Sequence, residues 1–219
     1  MHKIIKNKEE IEIGINDKII IAGNLNVVDK AEGTILFAHG SGSSRFSPRN
    51  NYIADVLQRR NFNTLLIDLL TKEEEFIDLQ TGQLRFDIEL LAKRVIAATK
   101  WMLQNNLIGQ VPIGYYGAST GAAAALVAAA ELGDLISAVV SRGGRPDLAG
   151  DKLSKVKAPT LLIVGGQDYT VIEINKKALE QLTMEKELSI IPGATHLFEE
   201  PGALEQVAVK ASEWFDRYL

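Results

Sequence analysis

The sequence predicts an α/β protein on a doubly wound, mostly parallel sheet with an N-terminal antiparallel hairpin. Three observations predict it. Two β-branched segments flank the turn pair Asn16-Asp17. Short, nearly continuous apolar blocks follow, as expected of strands covered on both faces. Helical stretches separate those blocks, an alternation that implies crossover connections and parallel pairing.

In order, the hairpin is read at Ile11 to Ile15 and Lys18 to Ala22. The parallel strands are read at Thr34 to Ala38, Asn63 to Ile67, Val111 to Tyr116, Ala138 to Ser141, Thr160 to Val164 and Leu188 to Ile191. Helices are expected at Arg49 to Arg60, Phe86 to Gln104, Thr120 to Leu132, Val171 to Leu182 and Leu204 to Tyr218. The acidic run Glu73-Glu74-Glu75 reads as a solvated loop or a helix start. In such a sheet, ligands bind beyond the carboxyl ends of the strands.

At 219 residues the chain suits a single domain, 1–219, burying roughly 70% of its unfolded surface. No linker composition and no repeat of solenoid length divides it. The net charge is -4 with no basic run, which argues against nucleic acid and for a small-molecule ligand. The absence of cysteine excludes disulfides, a thiolate nucleophile and Cys-built zinc sites, and fits the cytoplasm. Charged residues interrupt the N-terminus before any apolar stretch of signal length, so no export signal is expected. The apolar run near Ala122 to Ala130 is about half of the ~20 residues needed to cross a bilayer, so no membrane partner is expected. A homodimer is compatible with all of this.

The chemistry gathers at turns. Tyr115-Tyr116-Gly117-Ala118-Ser119-Thr120-Gly121 runs from a strand through G-x-S-x-G into an alanine-rich helix. A serine on that turn projects above the sheet, with flanking glycines allowing the tight backbone and the helix dipole beneath. Of the three histidines, His2 is terminal and His39 lies in a turn upstream of the serine. His196, in Pro192-Gly193-Ala194-Thr195-His196, follows the last strand and is the candidate base. Asp168, after Gly165-Gly166-Gln167, is the candidate acceptor that fixes the tautomer of that base. Asp147, Asp151, Glu173, Glu199 and Glu200 read instead as solvated surface charge. An oxyanion needs two N–H donors. Thr120 offers one and Ser41, in His39-Gly40-Ser41-Gly42, the other, with His39 shaping the loop.

Four motifs, Phe37-Ala38-His39-Gly40-Ser41-Gly42, Gly117-Ala118-Ser119-Thr120-Gly121, Gly165-Gly166-Gln167-Asp168 and Gly193-Ala194-Thr195-His196, give the chain a resemblance to the α/β-hydrolase superfamily. Within it, the chain resembles the dienelactone-hydrolase-like branch over nearly its whole length. The resemblance implies a serine hydrolase cleaving small esters or lactones through an acyl-enzyme, with no metal and no organic cofactor. Acyl transfer on the same residues, or a non-catalytic binding module of the same fold, are the alternatives. Dienelactone hydrolases proper use a cysteine nucleophile, which this chain lacks. The superfamily's cap domain commonly lies between the strands that here end at Ser141 and begin at Thr160. Only Arg142 to Pro159 fills that interval, so no cap domain and an open site are expected.

Arg45, Arg49, Arg142 and Arg145 fall in loops near strand ends. They read either as a grip for an anionic substrate or as structural residues. Asp68 reads as a partner for one of them or as a turn residue.

Overall fold

The computed structural model describes residues 5–219, with side chains from Glu9 onward. The first four residues of the segment read as lacking an export signal, His2 among them, lie outside the described residues. The strands are β1 (Ile5–Asn16), β2 (Ile19–Val28), β3 (Gly33–Ala38), β4 (Phe62–Ile67), β5 (Ile113–Ala118), β6 (Ile136–Arg142), β7 (Thr160–Gly165) and β8 (Lys186–Ile191). They form one sheet in the order β1-β2-β4-β3-β5-β6-β7-β8. β1 with β2 and β2 with β4 are antiparallel, and every later pair is parallel. The helices are α1 (Pro48–Arg59), α2 (Lys72–Thr81), α3 (Ile88–Gln104), α4 (Thr120–Leu132), α5 (Tyr169–Gln181) and α6 (Ala203–Tyr218).

The hairpin turns where expected, because the Asn16 side-chain oxygen accepts from the N–H groups of Lys18 and Ile19 at 2.9 and 3.0 Å. It runs further than its apolar residues suggest. β2 continues through Asn24 and Asn26, which pair with Leu66 and Thr64 of β4. These asparagines break the apolar pattern yet are buried, and Asn24 accepts a hydrogen bond from Arg45 Nε at 3.2 Å.

Successive side chains of a strand face opposite sides. Leu36, Leu65, Tyr115, Val139 and Leu162 join one core with α3 and α4. Their chain neighbours Phe37, Leu66, Tyr116, Val140 and Ile163 join the other, with α1 and α6. Both layers are therefore built from the continuous apolar runs. α4 lies deepest, and its residues Thr120 to Ala129 are all buried. Because β3 to β8 share one direction, the turns after Ala38, Ile67, Ala118, Arg142, Gly165 and Ile191 emerge at one edge. Between β6 and β7 the chain makes 3-10 turns over Pro146–Lys155 and no cap domain. Among the described residues, no helix is long and apolar enough to cross a membrane.

Of the two readings of the acidic run, the helix start is the one the structure shows. Lys72–Thr81 is a full helix, α2, whose start is fixed by a capping box between Thr71 and Glu74. The acidic run is its first turn, where negative charge suits the helix dipole.

Candidate active site

Ser119 stands between β5 and α4 with φ 51 and ψ −120. Such a backbone costs about 1–3 kcal/mol for a residue with a Cβ and persists only where the surroundings impose it. They do so here. A Cβ on Gly117 would stand 2.4 Å from Ala122 Cα, and one on Gly121 would stand 2.3 Å from the carbonyl oxygens of Ala38 and His39. The two glycines of G-x-S-x-G let α4 close onto the strands at this turn. The Ser119 N–H donates to the Arg142 carbonyl at 3.2 Å, and its own carbonyl accepts from Arg145 and Ala122 at 3.1 Å each.

His196 Nδ1 and Asp168 Oδ2 lie 2.6 Å apart, so the ring N–H donates to the carboxylate. Asp168 occupies the N-cap position of α5 yet makes no side-chain cap bond, leaving its carboxylate for the imidazole. The two turns carrying them are bonded together. The N–H groups of Gly166 and Gln167 donate to Ile191 and Ala194 at 2.8 and 2.9 Å. A Cβ on Gly165 would reach within 2.5 Å of the Ala194 and Thr195 carbonyls. Beyond the histidine, the buried Phe198 ring anchors the turn, with the Arg142 guanidinium 5.8 Å from its centroid. Hydrogen bonds from Thr195 hold the Glu200 carboxyl below its ordinary value. His196 and Ser119 border the same turn, since a Cβ on Gly143 would lie 3.5 Å from His196 Cε1.

The β3 loop also touches the serine: a Cβ on Gly40 would meet Ser119 Cβ at 2.9 Å. Next along this loop, the Ser41 and Thr120 hydroxyls hydrogen-bond at 3.0 Å. His39 staples the loop to the end of β4. Its Nδ1–H donates to the Gly40 carbonyl at 2.9 Å, and its Nε2 accepts the Leu69 N–H at 3.2 Å. Burial lowers the His39 pKa, outweighing the Gly40 carbonyl and the charges of Asp68 and Glu75.

The four loop arginines have partners within the protein. Arg45 is buried and ion-paired with Asp68 and Glu10. Asp68 is thus the arginine partner that its position suggested. Arg49 pairs with Glu199 at 2.9 Å, Arg142 donates to buried Asn50 at 3.2 Å, and Arg145 chelates Asp147 at 2.9 and 2.7 Å. Asp147 and Glu199 are therefore arginine partners rather than free surface charges. Among the described residues, no three His, Asp or Glu side chains converge as a metal-ligating group.

Next to the β3 loop is a cavity of about 100 Å³, walled by Gly40, Ser41 and Thr120 on one side and by Leu69, Leu70 and Leu91 on the other. Leu79 of α2 stands at its rim. α2 borders this cavity, which no cap domain covers. Buried Asp78 locks its C-terminal end through Arg85, whose Nε donates at 2.6 Å. Burial opposes ionisation of Asp78, but the Arg85 N–H and guanidinium outweigh it and lower its pKa. The Ser41 hydroxyl reaches the Arg85 carbonyl at 3.4 Å, tying this segment to the β3 loop.

The sheet, the strand-end turns and their spacing are those of an α/β-hydrolase fold. The chain belongs to the dienelactone hydrolase family, whose sequence pattern matches residues 26–218. It is similar to a crystallised dienelactone hydrolase from Anabaena variabilis, with 58% identity, a TM-score of 0.94, and coverage of 97% of this chain and 98% of that one. Est1E from Butyrivibrio proteoclasticus, solved with ferulic acid, shares the fold at 18% identity and a TM-score of 0.80, covering 95% and 98% of the two chains. A protein from two strains of Mycobacterium tuberculosis, provisionally named a phosphoribosyl transferase, is 54% identical over 211 residues. That match takes in 96% of this chain and 46% of the relative, so the chain spans about half the length of the curated relatives it matches.

Proposed function

We propose that the protein is a serine hydrolase that cleaves small carboxylic esters or lactones through an acyl-enzyme. The observation that carries this reading is the 2.6 Å bond from His196 Nδ1 to Asp168, beside a serine on a strained strand-to-helix turn. With Nδ1–H given to Asp168, the His196 Nε2 lone pair is free to act as a base. Ser119 Oγ attacks the carbonyl carbon as its proton passes to Nε2. The N–H groups of Ser41 and Thr120 receive the oxyanion, and α4 adds its dipole beneath. The imidazolium then protonates the departing alcohol oxygen. Water repeats the sequence on the acyl-enzyme, releasing acid and regenerating the serine. In a lactone, acid and alcohol leave as one hydroxy acid.

The chain has no cysteine, so the thiolate chemistry of dienelactone hydrolases proper does not transfer. In this reading, the transferase activity named for the longer relatives belongs with the part of those proteins beyond the match. The test is a fluorophosphonate probe read by intact mass, together with hydrolysis of short p-nitrophenyl esters. We expect one adduct on the native protein, none on folded Ser119→Ala, and ester turnover lost in parallel. Equal labelling of both proteins rejects the reading.

A further inference from the structure

We infer that the cavity beneath α2 is the acyl-side specificity pocket, and that it selects short, uncharged acyl groups. This rests on the proposed serine chemistry. The side of the bond follows from where the proton must go. The leaving oxygen has to lie within hydrogen-bond reach of His196, which protonates it, so the alcohol points toward the His196 turn. The cavity is walled by the β3 loop, the end of β4, α2, α3 and Thr120, and by no residue of the turns carrying His196 or Asp168. It therefore opens on the opposite side of the carbonyl, where the acyl chain lies. Two residues of its wall tie it to the nucleophile: Gly40, on which a Cβ would stand 2.9 Å from Ser119 Cβ, and Thr120, which follows Ser119 in the chain.

Size and charge then set the substrate class. A dry cavity of about 150 Å³ takes benzene. One of about 100 Å³ suits a chain of about four carbons between Leu69, Leu70 and Leu91, with Leu79 closing the outer end. Asp68 is matched by Arg45, and Asp78 by Arg85. Glu75 remains as the unmatched charge of the wall among the described residues. An acyl group ending in a carboxylate would lose hydration beside Leu69, Leu70, Leu79 and Leu91 and meet the like charge of Glu75, while the Arg85 guanidinium in the wall is already engaged by Asp78.

The experiment measures kcat/KM for two ester series, one lengthening the acyl chain from acetyl to octanoyl on p-nitrophenol, the other lengthening the alcohol of a butyrate. We expect a maximum near butyryl and a fall of at least ~10-fold by octanoyl, since a chain longer than the cavity leaves methylenes unburied or strained. The alcohol series should vary less. Leu79→Ala should move the maximum to longer acyl chains. A succinyl ester should be at least ~10-fold poorer than the butyryl ester, and Glu75→Gln should narrow that ratio by ~3-fold through loss of one partly screened charge. Both variants alter exposed residues and should fold. Ser119-dependent turnover with a flat acyl profile, or with the length limit in the alcohol, overturns the pocket alone. No Ser119-dependent turnover of any ester overturns both the pocket and the hydrolase reading.

Discussion

The turns at Ser119 and His196 and the helix α2 lie at the same edge of the sheet, yet they are built in opposite ways. Glycine contacts, backbone hydrogen bonds and buried rings hold the turns from every side. α2 is fixed at its ends, by the Thr71 capping box and by the Asp78–Arg85 pair, while Phe76, Ile77 and Leu79 are 66%, 53% and 74% exposed. The rigid part suits chemistry, which tolerates little misplacement of reacting atoms. The loosely packed part suits substrate choice, and its few buried apolar contacts place it at the low end of local stability.

The largest effects should come from the rigid side. Ser119→Ala or His196→Ala should lower kcat on a short activated ester by roughly 10⁴ to 10⁶, and the double variant should be little worse, because the pair acts as one unit. Circular dichroism should show an unchanged fold. Substantial activity in folded Ser119→Ala protein would break the comparison at its root. Asp168→Asn should cost on the order of 10⁴, by presenting the wrong partner to Nδ1 and freeing the ring to take the other tautomer. A loss under about tenfold, measured by the same assay, would point to another acceptor for the imidazole.

Stability should divide the two regions as clearly as activity does. Gly121→Ala drives a Cβ to 2.3 Å from two backbone carbonyl oxygens that cannot swing aside. The expected cost is about 3 kcal/mol, or roughly 6 to 12 °C in Tm for a chain of this size. Phe76→Ser, on the exposed face of α2, should stay within about 0.5 kcal/mol. A similar loss in both, read by thermal unfolding, would show that α2 is packed as firmly as the turns.

The same division explains what the sequence reveals. Ser119, Asp168 and His196 sit on turns whose sterics demand glycine at fixed offsets, so their neighbours announce them. Strands buried on both faces announce themselves by unbroken apolar runs, as Thr160–Gly165 does. α2 sends no such signal, because periodicity records burial and its apolar residues are largely exposed. β2 hides its length behind Asn24 and Asn26, whose burial depends on partners elsewhere in the chain. The partners of the arginines are hidden for the same reason. Their loops are legible, but Arg45 finds Glu10 and Asp68, and Arg142 finds Asn50, only once the chain has folded.

A smaller effect than that of Gly121→Ala falls on His39, which ties the β3 loop to the end of β4. Its Nε2 is an acceptor for the Leu69 N–H, so protonation would break that bond and bury a charge. Burial accordingly lowers its pKa from 6.5. The unfolded chain, with an ordinary histidine, takes up a proton as pH falls through about 6.5, while the folded protein does not until a lower pH. Protonation therefore favours the unfolded state. The stabilising contribution is complete above 6.5 and is lost as pH falls toward the folded value. Its slope is at most one proton, about 1.4 kcal/mol per pH unit. Asp78, with its pKa lowered from 3.8, sheds its own contribution only in a more acidic window. Urea unfolding of the native protein between pH 8 and pH 5 should show the loss. His39→Gln, less stable at pH 8 by about 1–2 kcal/mol for the missing bonds, should show a flatter profile across that range. Because the Gly40–Ser41 backbone would then be held less firmly, the variant should also lose about tenfold in kcat with little change in KM, the signature of a disturbed oxyanion donor. An unchanged pH profile in His39→Gln would place the titrating group elsewhere and leave the β3 loop to be held by its glycine contacts alone.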